Sequence, residues 1–133
     1  MPKKLESDDP REWLLRAFSN LNLAKNQQSG VFLEDLCFNA QQAVEKAIKA
    51  VLIKYGIDFP YTHNIAELLT LLKKYGHEIT EFLTQSAGLT LYAVSTRYPY
   101  VSSSPIEQEE YEQAAMIAEK VVHWADDIIN QKQ

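Results

Sequence analysis

Between Leu33 and Tyr55 the apolar residues return every three or four positions. Leu33, Cys37, Ala40, Val44, Ala47 and Val51 mark one helical face. Leu36, Ala43 and Ala50 widen that stripe on one side, and Ile48, Leu52 and Tyr55 on the other. The stretch holds no Gly or Pro, and its 23 residues would make a helix of roughly 35 Å. In its second half only Gln41, Gln42, Glu45, Lys46 and Lys49 interrupt the apolar circumference. An isolated surface helix carries a narrower stripe, so the pattern predicts a central helix with neighbours on several sides. Its alanines allow close approach, and its few polar residues must face a groove, a partner or water.

The same periodicity, punctuated by caps, predicts the other helices. Asp9-Pro10-Arg11-Glu12 reads as N-cap, first-turn Pro and first-turn acid, opening a helix on Trp13, Leu14, Ala17, Phe18, Leu21 and Ala24. Gln27 to Gly30 ends it, and the short turn makes it an antiparallel neighbour of the central helix. Gly56 closes the central helix. A connector from Ile57 to His63 follows, and Asn64-Ile-Ala-Glu67 opens a short helix that stops at Gly76. A further helix is expected from about Glu78 to Ser95, with Gly88 as a weak point where it bends. Pro99 disfavours helix at Tyr98. Ser104-Pro105-Ile106-Glu107 is expected to start the last helix, with Pro105 in its first turn and a stripe of Tyr111, Ala114, Ala118, Val121, Ala125 and Ile128. No alternating run reads as a strand. The expectation is an all-α, up-and-down bundle of about five helices forming one domain over residues 1–133.

Composition narrows the chemistry. A formal net charge of −5 argues against nucleic-acid binding by bulk electrostatics, though not against a local basic spot. The lone cysteine, Cys37, excludes an internal disulfide framework and fits a reducing cytoplasm. No membrane-spanning run or secretory signal is expected. The four glycines are isolated, so no phosphate-binding glycine loop is present. No cofactor is implied. His123 and Asp127 share a helix face, but two ligands do not make a metal site.

Asp35-Leu-Cys-Phe-Asn-Ala-Gln-Gln-Ala-Val-Glu-Lys-Ala-Ile-Lys-Ala50 resembles the hallmark helix of the HEPN family. Trp13 with Leu14 and Ala17 is similar to the family's first helix, His63-Asn-Ile-Ala-Glu-Leu-Leu69 to its third, and Thr96-Arg-Tyr-Pro99 to the Arg-Tyr-Pro signature after its fourth. The resemblance implies a homodimeric helical bundle. It also implies a partner, a minimal nucleotidyltransferase, in a toxin–antitoxin-like pair that engages nucleotide or RNA. Ribonuclease members carry an Arg followed four to six residues later by a His, facing across the dimer cleft. Here Arg97 is followed by Tyr98, Pro99, Tyr100 and Val101 and then Ser102, Ser103 and Ser104, so the proton-transfer partner is missing from that window.

The candidate ligand- or partner-binding residues are Arg97, Tyr98, Gln42, Glu45, Lys46 and His63. Each has a structural alternative. Arg97 can complement a helix end and pair with Glu45, or hold a phosphate. Glu45 and Lys49 form an i,i+4 pair in the favourable order. Gln41 and Gln42 can line a groove or bond another subunit, and His63 can belong to a helix cap. Tyr98 and Tyr100 can stack on a base or pack on the bundle. Three readings stand side by side: a non-cleaving partner of a nucleotidyltransferase, a metal-independent ribonuclease toxin with a variant site, and a dimerising scaffold.

Overall fold

The computed structural model describes residues 8–93 and 105–131. Over these residues the chain forms α1 (Pro10–Ala24), α2 (Leu33–Lys54), α3 (Ile65–Lys74), α4 (Glu81–Ser86) and α5 (Gln108–Ile129). A 3-10 helix (Ala87–Ala93) continues α4. There is no strand among the described residues, and the expected all-α bundle is what forms.

The caps read from the sequence are in place. Asp9 Oδ1 accepts the Arg11 N–H at 2.9 Å, and Asn64 Oδ1 accepts the Ala66 N–H at 3.0 Å. Each satisfies a donor that the first turn leaves without a partner. At the end of α2, Gly56 adopts φ 72°. Its N–H bonds Ile53 O at 3.0 Å, while Ile57 N–H bonds Leu52 O at 2.9 Å. α3 ends the same way on Gly76 (φ 91°), with His77 N–H on Leu72 O at 3.0 Å. Both are Schellman closures, which need the left-handed backbone that glycine adopts without strain.

Side-chain contacts set the helix directions. Lys49 lies over Trp13 near the start of α1, and Lys46 bonds Asn20 nearer its end, so α1 and α2 are antiparallel. α5 is antiparallel to α1 as well. Tyr111 OH donates to Ala24 O at 2.7 Å, and His123 meets Phe18 edge-on at 5.7 Å. α3 runs in the same sense as α2. The connector doubles back to set His63 against Glu45 in mid-helix, and the Tyr55 and His77 rings then stack at 4.0 Å where both helices end.

α2 is the centre of this packing. Cys37, Ala40, Ala43, Val44, Ala47, Ile48, Ala50, Val51 and Leu52 are wholly buried, enclosed by α1, α3, α5 and the 3-10 helix. The middle of the stripe is therefore covered inside the chain by four elements, while Leu33 and Ile53 are partly buried and Tyr55 is 41 % exposed.

Two helix starts also differ from the sequence reading. α4 begins at Glu81 rather than Glu78, after Thr80 in extended conformation, and changes winding at Ala87 beside the expected bend at Gly88. α5 begins at Gln108, with Glu107 at the N-cap position and no side-chain cap bond, so Pro105 precedes the helix. Glu34 Oε2 accepts the Ile106 N–H at 3.3 Å, holding that residue outside the helix. On the α5 stripe Ile129 is buried and Ile128 only partly so.

Candidate functional site on the central helix

Gln41, Glu45 and Lys49 follow one another at i,i+4 spacing, so α2 stacks their side chains in one line. All three are buried, at 0, 4 and 4 % exposure. Glu45 is the hub. Its Oε2 accepts from Lys49 Nζ at 2.8 Å, and its Oε1 accepts from Gln41 Nε2 at 2.9 Å. His63 Nδ1 stands 3.0 Å from Oε1 and 3.1 Å from Oε2. Gln42 Nε2 donates to Gln41 Oε1 at 2.7 Å and extends the chain to the surface.

Because an ionised carboxylate only accepts, His63 must donate through Nδ1–H, which leaves Nε2 on the half-exposed side of the ring. Burial pushes the Glu45 carboxyl up. The hydrogen bonds from Lys49 and Gln41, the Lys49 charge and the His63 contact outweigh it and hold the group below its ordinary 4.5.

The Lys49 ammonium is enclosed by aromatic faces, its Nζ 5.9 Å from the Trp13 ring centre, 5.7 Å from Phe59 and 5.8 Å from Tyr61. Ring quadrupoles attract a cation at that range, so the buried charge has three aromatic neighbours besides Glu45. Phe59 and Tyr61 come from the connector that also brings His63. Tyr61 meets the His63 ring edge-on at 5.6 Å while remaining 81 % exposed.

One position around the helix, Lys46 points to α1. Its Nζ donates to Asn20 Oδ1 at 2.8 Å, Asn20 Nδ2 to Asn39 Oδ1 at 2.9 Å, and Asn39 Nδ2 to Asp35 O at 3.1 Å. Burial lowers the Lys46 ammonium from its usual 10.5; Glu45 opposes that shift, and Arg16 and Lys49 add to it.

Of the six candidate residues, Gln42, Glu45 and His63 are thus joined in one hydrogen-bonded hub, and Lys46, one position further round α2, bonds Asn20 of α1 instead. Arg97 and Tyr98 lie outside the described residues, as does Tyr100. His63 is not the cap of α3, a role that Asn64 fills. Cys37 is wholly buried, and burial pushes its thiol up to about 12. His123 packs on Phe18. Among the described residues no group of three His, Cys, Asp or Glu side chains is placed to hold a metal ion, and no helix is long and apolar enough to cross a membrane.

A family model for the HEPN domain matches residues 10–128, from the first residue of α1 almost to the end of α5. The chain belongs to the HEPN family. Two solved structures share the fold. TT1696 from Thermus thermophilus superposes with a TM-score of 0.78 at 27% identity, over 91% of this chain and 98% of that one. ST0689, described as an archaeal HEPN homologue, gives 0.70 at 26% identity, over 90% and 97%. Comparison with curated proteins finds no significant match.

Within this HEPN bundle the hallmark segment supplies both core and hub. Asn20 and Asn39 were not singled out by sequence. Their only signal is polar side chains placed beside the apolar stripes of two antiparallel helices.

Proposed function

We propose that this chain is a non-cleaving recognition subunit, a homodimeric HEPN partner of a minimal nucleotidyltransferase in a toxin–antitoxin-like pair. The face carrying Gln42, Lys46 and His63 is its meeting surface for protein or nucleotide. HEPN membership supports the pairing. The observation that carries the reading is the Glu45 hub. A buried ion pair loses much of its attraction to desolvation, and apolar residues of the same volume would hold the helices as well. What those residues could not do is fix His63 and Gln42 at the surface in one orientation.

The test is co-purification of the tagged chain with the products of the genes beside its own. Recovery of a minimal nucleotidyltransferase in fixed ratio, lost on Lys46→Glu or His63→Ala, supports the reading. A folded chain that recovers no such protein overturns it.

One observation favours the ribonuclease reading: His63 is oriented by a carboxylate with Nε2 turned outward, as a general base is held. Cleavage of RNA needs proton transfers at the attacking 2′-hydroxyl and at the leaving oxygen. A single oriented imidazole supplies one of them, which ranks this reading second.

A further inference from the structure

The α2–α3 connector lies against α2 instead of looping away from it, and side chains hold it there. Its two ends are fixed. Ile57 is buried and its N–H bonds Leu52 O, while Ile65 is wholly buried with its N–H on Thr90 Oγ1 at 3.1 Å. Between them, residues 58–63 make no backbone–backbone hydrogen bond among the described residues. Pro60 has no N–H to offer. The attachments are Phe59 and Tyr61 against Lys49 and His63 against Glu45, alternate residues that turn to the same side. Gln41 adds one long bond, its Nε2 donating to His63 O at 3.5 Å.

What the segment covers sets it apart from the rest of the core. Glu45 and Lys49 lie beneath it, and a buried ion pair regains hydration when water reaches it, whereas apolar surface only loses. Uncovering this row therefore costs less than uncovering an apolar stretch of α2 of the same area. A segment without backbone bonds, attached chiefly over charges, belongs to the low-stability end of a fold's local openings. The contacts of α2 with α1, α5 and the 3-10 helix do not pass through it.

We propose that residues 58–63 form a strap that opens as a unit over the Gln41–Glu45–Lys49 row while the helical bundle stays folded, with His63 and Tyr61 as its latches. Closed, it buries the Lys49 ammonium. Open, it presents that ammonium, the Glu45 carboxylate and the Trp13 ring together. A partner that meets Tyr61 and His63 on the surface is thereby coupled to the buried row, to the extent that it binds the two states differently. The strap goes beyond the recognition reading and stands whatever that partner is.

The experiment reads Lys49 itself. The full chain is pulsed with an amine-acylating N-hydroxysuccinimide ester across a urea series, each lysine is followed by mass spectrometry, and global unfolding is followed by circular dichroism. Lys49 should label more slowly than the exposed Lys54 and Lys73. It should still label at least about tenfold faster than global unfolding allows, the mark of a local opening. Low urea should change that rate little, because a strap exposes little surface. His63→Ala is expected to raise Lys49 labelling by about tenfold, the scale of one hydrogen bond to a charged group. Tyr61→Ala should raise it as well, and Tyr61→Phe, which keeps the ring, should not. Lys54 and Lys73 should hold their rates throughout.

Labelling of Lys49 that tracks global unfolding at every urea concentration overturns the strap, since the row is then uncovered only with the bundle. Wild-type labelling as fast as that of Lys54 overturns it too, because nothing is then closed. So does a rate unchanged by both His63→Ala and Tyr61→Ala, which removes the latches. The urea series on wild type decides the question even where a variant folds poorly. None of these readings depends on whether a nucleotidyltransferase co-purifies, so the strap and the partnership stand or fall separately.

Discussion

His63 Nδ1 sits 3.0 Å from Glu45 Oε1 across 18 residues of chain, pinning the connector between α2 and α3 to the middle of the central helix. Lys49 reaches the same carboxylate from one turn further along α2, at 2.8 Å, and both of those side chains are about 5 % exposed or less. The hub therefore joins a local pair, set by helix geometry, to a long-range contact that orders the α2–α3 connector.

Removing one member of the buried pair should cost far more than removing both. Lys49→Met leaves an ionised carboxylate in the core and is expected to destabilise the chain by about 3–5 kcal/mol. Glu45→Leu combined with Lys49→Met should return most of that loss. Urea denaturation of the two singles and the double measures it. A Lys49→Met protein as stable as wild type would contradict the buried pair.

The depressed Glu45 carboxyl has a consequence at acid pH. Its folded value lies below its unfolded one, so its contribution to stability is complete above the unfolded value near 4.5 and is lost as pH falls through the lower folded value. Stability measured from pH 6 downward should fall more steeply for wild type than for the Glu45→Leu, Lys49→Met double variant. Parallel curves would assign the acid loss to other carboxylates.

Cys37 offers a clean probe of the core. It is the chain's lone cysteine, wholly buried, with a thiol pushed up to about 12 chiefly by burial. The thiolate is the reactive form, so native protein at pH 8 should resist iodoacetamide and react on unfolding in urea. Rapid alkylation of the native chain, followed by mass spectrometry, would show that α2 opens on its α5-facing side.

The central helix was legible because its three-and-four spacing runs unbroken to Gly56, and the caps at Asp9 and Asn64 because they act over two residues. The Glu45–Lys49 pair was legible as an i,i+4 spacing. Its burial was not, since Trp13, Phe59 and Tyr61 come from other elements to close over it, and no local pattern encodes that. The start of α5 misled for a similar reason. Pro105 marks a first turn by local rules, but Glu34, 72 residues away from Ile106, captures the N–H beside it. Asn20 looked like an ordinary surface residue until α2 brought Lys46 against it.

Oligomeric state follows from the proposed function. The middle of α2 is covered within the chain, so a dimer draws chiefly on side chains exposed elsewhere, among them Leu15 at 66 %, Tyr61 at 81 % and Leu91 at 65 %. Sedimentation at tens of micromolar is expected to give twice the 15.2 kDa chain mass. Singly introduced Leu15→Glu, Tyr61→Glu and Leu91→Glu should leave helicity unchanged, because these side chains face solvent, and one of them should yield monomer. A wild-type monomer would remove the dimer from the proposal while leaving the bundle and the Glu45 hub intact.

Purified protein is expected to leave RNA intact. The argument is one of missing groups. In-line attack needs a base on the 2′-hydroxyl and an acid on the leaving oxygen, and each such positioned group is worth about 10²–10⁴-fold in rate. The Arg97 window holds no histidine, and His77 and His123 are engaged on Tyr55 and Phe18. That leaves His63 alone on the candidate face. If RNA is cleaved in the presence of a chelator, and the cleavage is lost on both His63→Ala and Arg97→Ala, then His63 supplies the missing proton transfer from a different element. The chain would then be a ribonuclease with a relocated histidine. Cleavage that survives both variants would mark a contaminant.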